Sequence, residues 1–275
     1  MRAQFVDVGG RTVRLLREGN GPPVLLLHPV GHCAELFMRN IDELARTHTV
    51  IAPDLPGHGF SGAVRFAGRS PQSVTADGLF ALMDALGLER FALIGSSYGG
   101  LVAARMALQS PARVMRLGIV GSASTFAAND KQEETLRAVM ANALTAMKSP
   151  TLNACRQRLG NICHDATCVR DEIALVQMTC YAQPDRVPAF VDTIDSLIAA
   201  ARMPGERVHD RLEQLEMPVL VVVGRNDIRA DWRVHESGAR RIRHSELLIV
   251  EDCGHLPFLE HPDLFNRTAG RFLQA

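Results

Sequence analysis

The chain has 275 residues, of which 47% are apolar, a composition typical of a globular enzyme with one α/β core. Its 30 basic and 30 acidic residues cancel to a formal net charge of zero, which argues against binding to nucleic acid or to an anionic membrane surface. The N-terminal MRAQFVDVGG lacks the pattern of a signal peptide, and no apolar stretch is long enough to span a bilayer. We therefore expect a cytoplasmic protein.

Six cysteines are too few for a disulfide scaffold, and we expect them to be reduced. Four lie in the middle of the chain, at Cys155, Cys163, Cys168 and Cys180. None belongs to a C-x-x-C pair, so we interpret them as small buried residues on helices rather than zinc ligands. His28 and His32 are four residues apart, but Pro29 and Gly31 disfavour a helix between them, which favours a loop role. We predict no metal site and no cofactor.

The first part of the chain alternates short apolar strands with helices. A hairpin is predicted over residues 4–17 around Gly9-Gly10, and strands follow at 24–28, 50–52, 91–94 and 114–120. Helices are predicted between them at 35–46, 71–88 and 101–108. Short apolar strands that alternate with helices predict an α/β fold with a mostly parallel, doubly wound sheet.

This alternation stops between residues 124 and 210, where the composition is helical and no strand is predicted. Four helices are expected in this segment, at 130–148, 151–162, 169–181 and 187–203. The strand pattern then returns at 219–223 and 246–251, with helices at 229–242 and 262–273. We predict a core formed by residues 1–123 and 211–275, interrupted by a helical insertion at 124–210.

The stretch FALIGSSYGG (residues 91–100) contains G-x-S-x-G, with Gly95 and Gly99 two residues either side of Ser97. An apolar run precedes the motif and a helix-forming run follows it, so the chain must turn sharply from strand to helix. Such a turn leaves no room for flanking Cβ atoms and lifts the central side chain clear of the sheet, beside a helix N-terminus. Ser96 does not fit this spacing. Ser97 is therefore the candidate nucleophile.

Two further polar residues follow predicted strands at the same edge of the sheet. Asp227 lies in the turn after strand 219–223, and His255 lies in the loop after strand 246–251. Open α/β sheets bind ligands at the carboxyl ends of their strands. A serine nucleophile needs a base and an acid that orients the base, and Ser97, Asp227 and His255 follow the chain order nucleophile, acid, base. Residues 111–129 contain no rival Asp or Glu.

Five stretches together resemble the α/β-hydrolase fold superfamily. LLLHPVG resembles its oxyanion loop, DLPGHGFS the loop after the next strand, GSSYGG the nucleophile elbow, GRND the acid turn and GHLPFLEHP the histidine loop. The resemblance covers nearly the whole chain outside residues 124–210. It implies an eight-stranded, mostly parallel sheet with a helical lid at 124–210, and a catalytic triad of Ser97, Asp227 and His255.

The resemblance also implies an oxyanion hole formed by the backbone N–H groups of Val30 and Tyr98. Pro29 stands where the family usually has Gly, which stiffens the loop HPVG but leaves the Val30 donor in place. The inner face of the lid is expected to be apolar and to exclude water from the site.

Serine at the elbow excludes the epoxide and halide chemistry of relatives that use Asp there. The default expectation is hydrolysis of a small, largely apolar carboxylic ester through an acyl-enzyme. The C-terminal EDCGHLPFLEHPDLFNRTAGRFL is similar to that of hydrolases that cleave carbon–carbon bonds in ring-cleavage products. Three features depart from that subfamily: the oxyanion loop lacks a Gly-Pro-Gly run, Ser96 replaces Asn, and Leu256 replaces Trp.

Lactone and thioester hydrolysis also remain open. A different class is a ligand receptor on the same scaffold, which would bind a small molecule with little or no turnover. A small-molecule substrate is the expected partner, and the sequence leaves open whether the chain forms a homo-oligomer.

Overall fold

The computed structural model describes residues 1–127 and 132–274, which form an eight-stranded sheet. The strands are β1 (Arg2–Val8), β2 (Arg11–Glu18), β3 (Pro23–Leu27), β4 (Thr49–Pro53), β5 (Phe91–Ser96), β6 (Val114–Val120), β7 (Val219–Gly224) and β8 (Ser245–Val250). Their spatial order is β1-β2-β4-β3-β5-β6-β7-β8. β2 pairs antiparallel with β1 and with β4, and the remaining pairings are parallel. This topology confirms the predicted doubly wound sheet.

Helices connect the strands and cover the sheet. They are α1 (Met38–Leu44), α2 (Pro71–Ala85), α3 (Tyr98–Gln109), α4 (Ala123–Phe126), α5 (Gln132–Lys148), α6 (Leu152–Gly160), α7 (Asp171–Tyr181), α8 (Arg186–Ala200), α9 (Trp232–Ala239), α10 (Pro257–Glu260) and α11 (Pro262–Gln274). Among the described helices, none is both long and apolar enough to cross a bilayer.

The central strands are buried on both faces because successive side chains point to opposite sides of a strand. In β3, Leu25 and Leu27 join one apolar cluster, which includes side chains of α2 and α3. Val24 and Leu26 join the other, which includes side chains of α1 and α11. The sheet therefore lies between two layers of helices. Because β3 to β8 pair in parallel, their carboxyl ends share one edge of the sheet.

Helices α5 to α8 (132–200) lie between β6 and β7, and we call them the lid. Their ends lie within about three residues of those predicted, and the first two residues of the helix predicted at 130–148 lie outside the described residues. The interpretation of the cysteines is correct for Cys155 and Cys180, which are buried on helices. It is wrong for Cys163, which is half-buried in a turn because the chain leaves α6 after Gly160. Cys168 is also only half-buried, at the end of a short 3-10 helix, Ala166–Cys168.

Candidate active site

Ser97 alone makes the turn between β5 and α3. Its φ of 53° and ψ of −116° are rare for a residue with a side chain, and such strain is concentrated at functional sites. A Cβ atom at Gly95 would lie 2.1 Å from the Gly99 carbonyl oxygen, and one at Gly99 would lie 2.1 Å from the Leu27 carbonyl oxygen. Only glycine fits at either position, so the glycine spacing of the sequence motif follows directly from this turn.

Hydrogen bonds between the backbone of Ser97 and residues at the end of β6 and just after it hold the strand-to-helix turn in place. The Ser97 N–H donates to the Val120 carbonyl at 2.8 Å, and Ser122 Oγ donates to the Ser97 carbonyl at 2.7 Å. The neighbouring Ser96 is fully buried, and its Oγ has no partner within the described residues. Ser97, by contrast, lines a cavity together with His255, as the motif predicts.

Asp227 and His255 come together at the carboxyl ends of β7 and β8. His255 Nδ1 lies 2.8 Å from Asp227 Oδ2, and the two side chains are 7% and 0% exposed. Asp227 Oδ1 accepts hydrogen bonds from the backbone N–H groups of Arg229 at 2.7 Å and Ala230 at 3.0 Å. Both carboxylate oxygens thus accept hydrogen bonds, and with Nδ1 donating to Oδ2, Nε2 remains available as a base.

Ser97 and His255 line the same cavity, but no hydrogen bond joins Ser97 Oγ to the imidazole among the described contacts. Contacts of this kind are often long in an unliganded enzyme and shorten when substrate binds. The structure therefore brings the three residues together, with the Asp227–His255 pair formed.

Glu260 holds the loop that carries His255, a role that the sequence did not reveal. Its carboxylate accepts from the backbone N–H groups of Gly254 at 3.0 Å and Leu256 at 3.2 Å, on both sides of the histidine. It also accepts from the His164 N–H at 2.7 Å, which ties the lid to the same loop. The motif GHLPFLEHP contains Glu260, but only the structure shows that it bonds these donors.

Val30 and Tyr98, the two predicted oxyanion-hole residues, lie beside Ser97. Both residues are buried and line the cavity beside Ser97. Tyr98 is the first residue of α3, so its N–H has no acceptor within the helix. Within the described part of the chain, no hydrogen bond occupies the Val30 N–H. Both donors predicted from the sequence therefore lie next to the candidate nucleophile.

The cavity has two lobes, which share Ser97, His255, Val30, Val139 and Arg229. We call it the Ser97 cavity. We name the lobes by the side chains that distinguish them: the apolar lobe has Leu101, Leu136 and Leu197, and the polar lobe has His32, Asn142 and Arg158. The lid forms part of both lobes. Its inner face is apolar at Leu136 and Leu197, as expected, but the expectation is wrong for Asn142 and Arg158.

Arg158 is a buried cation at the edge of the polar lobe, with only 4% of its surface exposed. Its guanidinium lies 5.0 Å from the ring centre of Tyr181 and 5.9 Å from that of Phe190. Burial lowers its pKa to about 9, so it is still protonated at neutral pH. Its hydrogen bonds go to backbone carbonyls, and among the described residues no carboxylate lies within ion-pair distance of it.

Arg229 is a second cation that both lobes share. Its Nη2 donates to the Ala138 carbonyl at 3.3 Å, whereas its Nε is buried and unpartnered within the described residues. Burial lowers its pKa, and the nearby Asp227 carboxylate acts in the opposite direction. Two guanidinium groups therefore line the Ser97 cavity. Among the described residues neither has a carboxylate within ion-pair distance, although the Asp227 carboxylate is close enough to Arg229 to act on its pKa.

His28 and His32 lie in the loop after β3, and each has a different hydrogen-bond partner. His28 Nε2 accepts from the Leu55 N–H at 2.9 Å, and His32 Nδ1 lies 3.0 Å from Gln177 Oε1. Burial lowers the pKa of His28 to about 3 and that of His32 well below its usual value, so both are neutral. No group of three or more candidate metal ligands gathers within residues 1–127 and 132–274.

A profile described as alpha/beta hydrolase fold matches residues 22–262. The chain belongs to this family. A 2-hydroxy-6-oxononadienedioate/2-hydroxy-6-oxononatrienedioate hydrolase from Klebsiella pneumoniae is 30% identical, over 98% of this chain and 93% of the relative. A pimeloyl-[acyl-carrier protein] methyl ester esterase from Aliivibrio salmonicida is 27% identical, over 94% of each chain.

Solved structures of the family agree with this assignment. A meta-cleavage product hydrolase from Pseudomonas fluorescens IP01 superposes with a TM-score of 0.78 at 25% identity, covering 98% of this chain and 97% of the other. The resemblance inferred from the five sequence motifs is therefore confirmed. As an alpha/beta hydrolase with relatives named as hydrolases and esterases, the protein is an enzyme.

Proposed function

We propose that this alpha/beta hydrolase cleaves a carbon–carbon bond in an unsaturated oxo acid, using Ser97 as nucleophile. His255 is the base and Asp227 orients it, and the N–H groups of Val30 and Tyr98 stabilise the oxyanion. The observation that carries the proposal is the placement of Arg158, a buried cation without a described carboxylate partner, in the same cavity as Ser97.

Burying a charge is costly unless an opposite charge or several hydrogen bonds compensate for it. A substrate carboxylate can supply that compensation, because a guanidinium presents two parallel N–H groups to it. A ring-cleavage product carries such a carboxylate, whereas a small apolar ester does not. The Klebsiella pneumoniae relative is named for dienedioate and trienedioate substrates, which contain two carboxylates, and the Ser97 cavity contains two arginines.

The reaction begins when Ser97 Oγ attacks the oxo carbonyl of the substrate and His255 takes the serine proton. The oxyanion that forms is stabilised by the Val30 and Tyr98 N–H groups. The form attacked is the keto tautomer of the dienoate, in which the proton of the 2-hydroxyl group has moved to the carbon next to the oxo group, so that this carbon is saturated. Collapse of the serine adduct breaks the bond to this carbon. Its electron pair is delocalised through the remaining double bond onto the 2-oxo oxygen, which is then protonated by His255. Water activated by His255 hydrolyses the acyl-Ser97 ester. One water is consumed, and the products are a carboxylic acid and a shorter unsaturated acid.

Ester hydrolysis by the same residues is the second candidate. The apolar lobe favours it, because Leu136, Val139 and Leu197 can hold an aliphatic acyl chain. The Aliivibrio salmonicida relative is named for a methyl ester. The chemistry at Ser97 is the same up to the leaving group, which is an alcohol instead of a carbon.

The two candidates separate in one substrate panel. The purified protein is assayed with a 2-hydroxy-6-oxo-2,4-dienoate, followed by loss of its conjugated absorbance, and with p-nitrophenyl esters from acetate to octanoate. We expect kcat/KM for the dienoate to exceed that for the best ester at least about tenfold, and Ser97→Ala to lower both by about a thousandfold or more.

A higher kcat/KM for an ester than for the dienoate would assign the protein to ester hydrolysis. Saturable binding of the dienoate without turnover would identify a receptor on this fold. An active Ser97→Ala variant would refute the nucleophile.

A further inference from the structure

Three lid side chains converge on one backbone oxygen of the oxyanion loop, the carbonyl of Gly31. Tyr181 Oη donates to it at 2.7 Å, Arg158 Nη1 at 2.7 Å and Gln177 Nε2 at 3.4 Å. All three side chains are buried. They come from α6 and α7, whereas Gly31 lies in the loop after β3, so these bonds join the lid directly to the core.

The loop backbone also packs against the lid. Gly31 has a φ of +73°, and a Cβ atom there would lie 2.6 Å from Arg158 Nη2 and 2.8 Å from Phe190 Cε2. Glycine is required at this position both for its backbone conformation and for the close approach of lid side chains. The preceding carbonyl, of Val30, faces Arg158 Nη2 at 3.5 Å.

We infer that Tyr181, Gln177 and Arg158 are positioning residues for the oxyanion hole. The peptide planes on either side of Gly31 are held by the lid, and the N–H of Val30 belongs to the peptide unit just before them. A backbone donor stabilises a transition state only if it already points to where the charge develops, because reorientation during the reaction costs energy. The lid therefore completes the hole by docking onto the carbonyl of Gly31.

This inference rests on the proposed function, and it adds that the lid acts on the rate as well as on the choice of substrate. A lid that moved away from the loop would release the Gly31 carbonyl from all three donors. The hole would then lose its fixed geometry even though Ser97, Asp227 and His255 remained in place.

Tyr181→Phe tests the inference, because it removes the hydroxyl but keeps the ring under Arg158. We expect kcat for p-nitrophenyl acetate to fall about 3- to 10-fold, the effect expected from one hydrogen bond, with KM little changed. Affinity for a trifluoromethyl ketone, which forms an oxyanion adduct with the serine, should fall by the same factor. Affinity for the shorter unsaturated acid product, whose carboxylate is proposed to bind Arg158 and not the oxyanion hole, should not change. The double variant Tyr181→Phe/Gln177→Leu should show larger losses.

Thr193→Val is the matched control. Thr193 is a buried lid residue whose hydroxyl bonds the Ala189 carbonyl of its own helix, so its loss should leave kcat and inhibitor affinity unchanged. If the single and the double Tyr181 variants both bind the ketone within twofold of the unmodified protein, the inference is overturned while the proposed function stands. If the unmodified protein neither turns over nor labels with a fluorophosphonate at Ser97, both are overturned.

Discussion

The Ser97 cavity lies between a core wall, which carries Ser97 and His255 with Asp227 behind the histidine, and a lid wall, which carries Leu136, Asn142, Arg158 and Leu197. Asp227 and Arg158, the buried charges on these two walls, are satisfied in different ways. On the core wall, the Asp227 carboxylate accepts three hydrogen bonds, from His255 and from two backbone N–H groups. On the lid wall, Arg158 donates to backbone carbonyls and has no described carboxylate partner. A charge that is fully paired within the protein belongs to machinery that works on any bound carbonyl. A charge left without a counter-ion is available to an anionic group of the substrate.

The largest loss of activity should come from removing the paired charge of Asp227. Asp227→Asn keeps the shape of the side chain but cannot hold the imidazolium that forms during the reaction, so kcat should fall about 10²- to 10⁴-fold for every substrate. Steady-state kinetics on the dienoate and on p-nitrophenyl acetate measure this loss. The two substrates should lose activity equally, because Asp227 acts through His255 and not on the substrate.

Asp252→Asn is the matched control. Asp252 lies three residues before His255 but is exposed, and its φ of +49° is one that asparagine tolerates. Its activity should remain within twofold of that of the unmodified protein. A loss of less than about tenfold for Asp227→Asn would remove Asp227 from the triad.

Removing the unpaired charge of Arg158 should cause a smaller loss of activity, and this loss should depend on the substrate. Arg158→Met should lower kcat/KM for the dienoate about 100-fold, since a charge-assisted, bidentate contact to its carboxylate is lost. The neutral p-nitrophenyl acetate should lose less than about tenfold, because it experiences only the loss of the contacts of Arg158 to the Gly31 and Val30 carbonyls. Arg158→Lys keeps the positive charge but lacks the two parallel N–H donors of a guanidinium, so it should retain part of the activity on the dienoate.

Arg156→Met provides the control on the same helix. Arg156 is partly exposed and pairs with Asp171, so its removal should change neither substrate by more than twofold. Equal losses on the dienoate and the acetate ester for Arg158→Met would contradict carboxylate binding and leave only the positioning role.

The core wall could be predicted from the sequence because each of its residues has a local signal. Gly95 and Gly99 mark the strand-to-helix turn around Ser97, while Asp227 and His255 each follow an apolar strand. Parallel strands end at one edge, so strand position alone brings these side chains together. Only local pattern and chain order were needed.

The lid wall could not be predicted in the same way. Arg156 and Arg158 lie two residues apart on α6, about 200° around the helix, so one faces solvent when the other faces inward. Nothing in the local sequence says which of them is buried. Tyr181 contacts Gly31 across 150 residues of chain, and such a contact depends on how the whole lid docks. The unpaired charge in the cavity is therefore a finding of the structure alone.

The buried His58, which lies outside the lining of the Ser97 cavity, is a third case, because it is kept uncharged. Burial lowers the pKa of His58 to about 4, and its Nδ1 donates to the Pro56 carbonyl at 2.8 Å. Between pH 6.5 and 4 the unfolded chain binds a proton at this residue that the folded protein does not bind, so stability falls as the pH falls. From pH 7 to pH 5, His58 should account for about 2 kcal/mol of lost unfolding free energy.

Urea unfolding at the two pH values measures this loss, with His58→Gln as the comparison. The variant should lose about 2 kcal/mol less than the unmodified protein over the same interval, whatever its stability at pH 7. If His58→Gln lost as much unfolding free energy between pH 7 and pH 5 as the unmodified protein, His58 would be protonated in the folded protein.

The smallest effect should come from the apolar side of the lid wall, where no charge is involved. Leu197 on α8 is buried and lines the apolar lobe beside Leu136 and Val139. Leu197→Ala widens this lobe, so longer acyl chains should gain relative to acetate by about fourfold for each methylene that the new space buries. The ratio of kcat/KM for p-nitrophenyl hexanoate to that for acetate measures the change.

Leu175→Ala is the control for Leu197→Ala, because Leu175 is a lid leucine with 51% of its surface exposed. Truncating it should leave the ranking of the esters as it is. If Leu197→Ala also left that ranking unchanged, the apolar lobe would not be where the acyl group binds. Selectivity would then depend on Arg158 of the lid and Arg229 of the core, and the cavity would recognise its substrate by charge rather than by the size of an apolar group.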